Sequence, residues 1–365
     1  MDALLVIDDD AEHAAKLCAK IREALSAKGA THVEVLDWSP NSGDDPLNRF
    51  KAFLEAYEVR LVITDYDLTS QGTLGLFGAT IVDWCQLHAL PVGDFSRKNF
   101  EALAAEPNLF ELRIPIGSPH AAEHTAELYL GFDAVRTAVE EKPDLLKQRN
   151  PGAALAPLLG RPSLTTQFAQ YGARYGSANA SLADIFTKSV PAKERDTQRT
   201  RVFAYIVGHI LVNSVLRFPG PILSSRALAA YLAIAESQVA IVAEVLQAAR
   251  YNGPFGGLDD FWWTEGVDTL LDDQRLKLRE GVLYATAGAE RRALIELAVG
   301  GILEKDPQCP RCAGQEGGLY CPYTKQTVCE RSDCSVGSSA WIPQGARLCR
   351  LERDFYEEWA PILGM

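Results

Sequence analysis

Leu61-Val62-Ile63-Thr64-Asp65-Tyr66-Asp67-Leu68 and Leu4-Leu5-Val6-Ile7-Asp8-Asp9-Asp10 are built alike, each a short apolar run that ends abruptly in carboxylates. Buried strands of a parallel sheet read as unbroken Val/Ile/Leu runs because helices cover both faces. Ligand chemistry collects just beyond their carboxyl ends. If the two strands are neighbours, Asp8, Asp9 and Asp65 converge on one crevice. Clustered carboxylates repel one another unless a cation lies among them, and an all-oxygen set suits Mg²⁺. The fold expected around this pair is a doubly wound parallel α/β sheet.

The acidic pair after the first strand and the aspartate after the third resemble the receiver domain of two-component response regulators. The resemblance covers residues 1–142 and implies a five-stranded sheet of the receiver or flavodoxin type. It implies phosphoryl acceptance at Asp65 and Mg²⁺ held by Asp8 and Asp9, with the backbone carbonyl of Asp67 as a further ligand. Ser96, after Leu90-Pro91-Val92, lies where the family has a hydroxyl that bonds the phosphoryl group. The run Phe110-Glu111-Leu112-Arg113-Ile114-Pro115 resembles the fifth strand, with Phe110 at the switch aromatic and Arg113 at the invariant Lys. That Pro is one residue late, and Arg is a bidentate fork rather than a point charge. The partner implied is a histidine kinase or another phosphodonor, as in a phosphorelay. The bland alternative is a degenerate receiver kept as a docking scaffold.

Around these strands, helices are expected over Ala11–Lys28, Leu47–Tyr57, Gly78–His88 and Ala121–Val139, with a second strand over Thr31–Trp38. Cys18 and Cys85 read as buried core residues. His120 and His124, one helical turn apart, read as polar surface residues. Residues 143–165 mix Pro, Gly, Lys and Arg and read as a linker. Residues 166–300 read as a helical domain. In it Arg201–Phe218 is a buried helix with His209 in the core. Arg226–Leu232 and Ser237–Arg250, joined by a tight break, resemble a helix-turn-helix or winged-helix core. Phe255-Gly256-Gly257 and Phe261-Trp262-Trp263 are the candidate wing. A recognition helix needs Arg, Lys, Asn or Gln at base edges and phosphates. The second helix has no cation until Arg250, so the module is expected to bind a protein in preference to DNA.

Six of the eight cysteines fall between 309 and 349. Cys309-Pro310-Arg311-Cys312 is a knuckle spacing that points two thiolates at one ion. Cys329 and Cys334 are the expected second pair for structural Zn²⁺, with Cys321 and Cys349 as alternates. Six thiols exceed one zinc site and fall short of two separate ones, so a shared-ligand cluster and an iron–sulfur cluster are the other options. Trp341-Ile342-Pro343 and a helix over Leu351–Trp359 are expected to pack on this region, 301–365, or to present an apolar surface.

The chain's 365 residues suffice for two or three domains with real cores. The acidity is local. Residues 1–142 hold 24 Asp/Glu and 12 Lys/Arg, whereas acids and bases balance over 143–365. Neither half carries the basic footprint of a nucleic-acid binder. No run is long and apolar enough for a membrane span and no signal peptide is visible, so a cytoplasmic protein is expected. No Walker-type loop, G-x-S-x-G elbow or H-E-x-x-H is present, so an output enzyme is not expected. The function expected is a response-regulator-like switch at an aspartate, controlling a helical and zinc-bearing module that binds a protein. The alternatives are a DNA-binding response regulator, or a phosphorylation-independent scaffold in a defence or stress complex.

Overall fold

Every residue from Ala3 to Ile7 is fully buried, and these five side chains fix the first strand of the computed structural model. Burying each Leu, Ile or Val contributes about 1.5–3 kcal/mol. A one-residue slip of this strand would drag the Asp8 carboxylate into the apolar layer. The structure describes residues 1–41, 45–69, 76–95, 112–115, 118–148, 150–172, 195–217, 219–277, 284, 287–305, 309, 312, 319–321, 326–329, 331–336 and 348–349.

The elements run β1 (Asp2–Ile7), α1 (Ala11–Ala27), β2 (Glu34–Trp38), α2 (Pro46–Ala56), β3 (Glu58–Asp65), α3 (Gly78–Leu87), β4 (Val92–Phe95), β5 (Leu112–Arg113) and α4 (Ala121–Glu141). The strands form one sheet in the order β2-β1-β3-β4-β5, and every pairing is parallel. This doubly wound order reverses direction between β1 and β3, which opens a crevice beyond their carboxyl ends.

Both faces are covered. Leu5, Ile7, Val62 and Val92 join Phe50 of α2 and Ile81, Val82 and Cys85 of α3 in one core. The alternate residues Leu4, Val6, Leu61 and Ile63, also fully buried, face the other way. On that side α1 and α4 pack together, α1 turning inward Ala14, Leu17, Cys18 and Ile21.

The chain divides into two compact units, Met1–Asn213 with Gly253–Leu258, and Ser214–Asn252 with Asp259–Met365. The boundaries expected at 142 and 166 therefore fall inside the first unit. The stretch 143–165 is not an open linker. It holds the helix Pro151–Leu158, capped by Asn150 and buried along nearly its whole length. The prolines that suggested a linker, Pro143, Pro151 and Pro162, each stand in the first turn of a helix, where the missing N–H is harmless. Gly152 lets this helix touch the next, Thr165–Gly172, because a Cβ there would collide with the Phe168 carbonyl. The helix Arg195–Ile210 completes the first unit. Its His209 is fully buried against the rings of Tyr205 and Phe132.

The second unit is held by Leu228, Leu232, Val242, Leu246, Trp262 and Leu294, with their neighbours. Helix Ser225–Leu232, capped by Ser224, ends at Ala233 in the left-handed region (φ 54°), and a tight turn leads to helix Val239–Val245. Phe261–Trp263 pairs antiparallel with Ile222–Ser224, and no hairpin with Phe255–Gly257 forms. Phe255 belongs to the first unit, edge-on to Phe132, so the expected wing is only half there.

Candidate functional site

Asp8 is the first residue beyond β1, and Asp65 is the last residue of the adjoining β3. Both strands are pinned by apolar burial, so these carboxylates are held at the sheet edge by the core beneath them. Asp8, Asp9 and Asp65 are all buried, and each offers a carboxylate oxygen within 4.8 Å of the others. The crevice expected from the two apolar runs is present.

The surrounding backbone orients the carboxylates. Asp10 caps α1 by accepting from the His13 amide at 3.0 Å, and its own amide donates to Asp8 Oδ1 at 2.9 Å. His13 donates from Nδ1 to Asp8 Oδ2 at 2.5 Å, so both oxygens of Asp8 are engaged. His13 was not foreseen. Its link to Asp8 crosses the strand–helix junction, and only the capping signal of Asp10 could have suggested that the first turn folds back. On the other side, a Cβ at Gly78 would collide with the Asp65 carbonyl, so only glycine lets α3 begin this close to β3.

Asp67 is exposed and turns its side chain to the amide and hydroxyl of Thr69, while its amide reaches Asp65 Oδ1 at 3.5 Å. Ser96 and Phe110 lie outside the described residues.

Arg113 is described, and its position differs from expectation. The register pairs Thr64 with Asp94 and Asp94 with Arg113, whereas Asp65 pairs with Phe95. Arg113 therefore stands in the Thr64 row, on the opposite side of the sheet from Asp65. It donates from Nη1 to Asp94 Oδ2 at 3.0 Å. The following residue, Ile114, is fully buried and lies over Gly93 on the Asp65 side. The late Pro was the sign of this shift.

The second cluster is made of sulfur. Cys309, Cys312, Cys329 and Cys334 bring their Sγ atoms within 4.8 Å of one another. Cys312 turns back on Cys309 through an amide-to-carbonyl bond of 3.2 Å, and the amides of Cys334 and Ser335 both donate to the Arg331 carbonyl. Between the two halves, Leu319–Cys321 and Gln326–Val328 pair as an antiparallel hairpin. Cys312 and Cys329 Sγ are 3.6 Å apart, too far for a disulfide and close to the edge of about 3.8 Å of a tetrahedron with Zn–S bonds near 2.3 Å. Burial, followed by the neighbouring thiols, raises Cys334 above its ordinary value, and a cation among the four sulfurs would hold them as thiolates. The backbones of Cys321 and Cys349 lie in short strands, and their side chains are outside the described residues. Trp341–Pro343 and Leu351–Trp359 are outside them as well.

The outer face of the second helix of the helix-turn-helix carries Ser237, Ala240, Ile241, Glu244, Gln247 and Ala248. No cation lies on it. His120 stands exposed at the N-cap position of α4 without a side-chain capping bond, and His124 is half-buried, its pKa lowered mainly by burial.

Comparison with protein-family models, curated proteins and solved structures found no match. No helix among the described residues is long and apolar enough to cross a membrane.

Proposed function

We propose that the first unit is a receiver-like switch in which Asp65 accepts a phosphoryl group. The reading rests on one observation: three buried carboxylates within 4.8 Å, at the point where a parallel sheet of order β2-β1-β3-β4-β5 reverses direction. Asp8, Asp9 and Asp65 would hold Mg²⁺, and their all-oxygen donor set fits that ion. When bound, the ion neutralises charge on the transferred phosphoryl oxygens. A carboxylate oxygen of Asp65 attacks the phosphorus of the donor. The P–O or P–N bond to the leaving group breaks, and the leaving group departs with the electron pair. Asp8 is fixed in one orientation by His13 and the Asp10 amide, which each bond one of its oxygens.

The thiol cluster supports a structural zinc site at Cys309, Cys312, Cys329 and Cys334. Sulfurs this close would fit around a single ion, whereas a cage of several irons spreads its thiolates more widely. The helix-turn-helix, with an outer face free of cations, supports a protein partner over DNA.

A second reading is favoured by the position of Arg113. With Ile114 in the row of Asp65 and Arg113 bonded to Asp94, the cation that would read a phosphorylated state is displaced. That arrangement suits a scaffold whose acidic crevice binds Mg²⁺ without switching.

Intact mass after incubation with Mg²⁺ and acetyl phosphate separates the two. A gain of one phosphoryl group, absent in Asp65→Asn, is expected. No adduct under conditions that label a known receiver would remove the switch and leave the scaffold.

A further inference from the structure

The opposite edge of the same sheet gathers cations among its carboxylates. A cleft of about 680 Å³ opens where β3 begins, lined by Lys51 and Tyr57 at α2, Glu58 and Val59 of β3, His88 after α3, and Arg201 of the helix Arg195–Ile210. All belong to the first unit. The volume is that of a small-molecule pocket.

The cleft brings Lys51 and Arg201 together with Glu55 and Glu58, and the two carboxylates are placed away from the cations' hydrogen-bonding reach. Glu58 is already bound by Arg136, which also bonds Glu140. Glu55 lies exposed at the rim. Among the described residues the Arg201 side chain makes no hydrogen bond or ion pair, and neither do those of Lys51 and His88. Arg201 is half-buried beside Arg136, and burial together with that like charge lowers it from its ordinary value. Burial and the charges of Arg201 and Lys51 likewise lower His88. The Glu58 charge offsets the lowering of Arg201 in part, but that carboxylate is bonded to Arg136, so the Arg201 guanidinium is left without a hydrogen bond that a bound anion would supply.

We propose that this cleft binds a phosphate-bearing small molecule of nucleotide size. The Arg201 fork matches two phosphate oxygens and Lys51 supplies a second, adaptable charge. His88 can donate to a third oxygen. Three donors lining one cleft suit phosphate better than a carboxylate, which has only two oxygens. Tyr57 and Val59 give the organic part of the ligand an apolar wall. The site is separate from the carboxylate crevice and does not depend on the fate of Asp65.

Calorimetric titration of the full chain with AMP, inorganic phosphate and adenosine, in magnesium-free buffer, tests this. AMP should bind saturably, phosphate more weakly, and adenosine at least tenfold more weakly than AMP. Arg201→Gln should weaken AMP at least tenfold. Lys51→Ala, at an exposed position that leaves the fold alone, should weaken it about threefold. Asp65→Asn should bind as the wild type does. Failure of AMP and phosphate to bind at millimolar concentration would overturn the proposal. So would equal AMP binding by wild type, Arg201→Gln and Lys51→Ala.

Discussion

The carboxylate crevice and the thiol cluster each gather like donors within 4.8 Å, yet they stand on opposite kinds of scaffold. Beneath the carboxylates lies a sheet with both faces buried, whose stability does not come from the site. Among the described residues, the sulfurs rest chiefly on one another. Cys309, Cys329 and Cys334 are the buried residues of their own small cluster, with Cys312 packed on them. A metal at the crevice would serve chemistry on a fold that already exists. A metal at the thiols would be the core of its segment, because short two- and three-residue strands and hydrogen-bonded turns cannot fold by themselves.

The largest effect should follow from removing metal from the thiols. Structural zinc contributes on the order of 10 kcal/mol to segments of this kind. Cys329→Ser, or a strong chelator, should release one zinc per chain and open the region after residue 305 to protease. The first unit should keep its thermal transition. A chain purified without zinc or iron, or a protease pattern indifferent to chelation, would end the comparison.

Next is acid. His209 is fully buried among rings, and burial lowers it to about 3 from an ordinary value near 6.5. The unfolded chain therefore takes up this proton first. The contribution is intact above about pH 6.5 and is lost progressively as pH falls toward 3, by a few kcal/mol in all. Urea unfolding from pH 7 to 4 should show stability falling with pH, and His209→Gln should flatten that slope. An unchanged slope would place the acid sensitivity in the carboxylate pairs instead. This sharpens the contrast, since it locates a weakness of the first unit away from its candidate site.

Smaller still is the effect of the crevice itself. Asp65→Asn removes one of three mutually repelling carboxylates, so without Mg²⁺ it should stabilise the unit by about 1 kcal/mol, or roughly 2–4 °C in Tm. Mg²⁺ should raise the wild-type Tm and raise that of the variant less. A variant less stable than wild type without the ion would mean that Asp65 supports the fold.

The parts legible in the sequence are those where one physical rule acts alone. Apolar runs ending in Asp8 and Asp65 marked strands and their edge, because a buried parallel strand tolerates nothing else. The Cys309–Cys312 spacing marked a turn that places two sulfurs together. Other parts depended on context. Pro151 signals a linker or the first turn of a helix, and only the burial of Ala153–Leu158 decides which. Phe255 looked like part of a wing because it is near Phe261 in sequence, but it packs on Phe132 instead. The cleft at Arg201 was hidden because its donors are contributed by α2, the end of α3 and a helix more than a hundred residues later.

Arg113 is the most instructive case, and its predicted effect on the phosphoryl chemistry is the smallest of all. In a strand of two residues, a slip of one reverses the face a side chain presents, and composition cannot fix that parity. The register puts Arg113 beside Asp94, where one partner is buried and the other half-buried. Arg113→Gln should therefore cost about 1–2 kcal/mol by leaving the Asp94 carboxylate less well bonded. It should change the yield and lifetime of any Asp65 adduct by less than threefold, because the guanidinium faces away from that carboxylate. Following the adduct by intact mass in wild type and Arg113→Gln decides the matter. A tenfold loss would mean that Arg113 reaches the phosphoryl group despite the register, and the displaced-cation argument for a scaffold would fall with it.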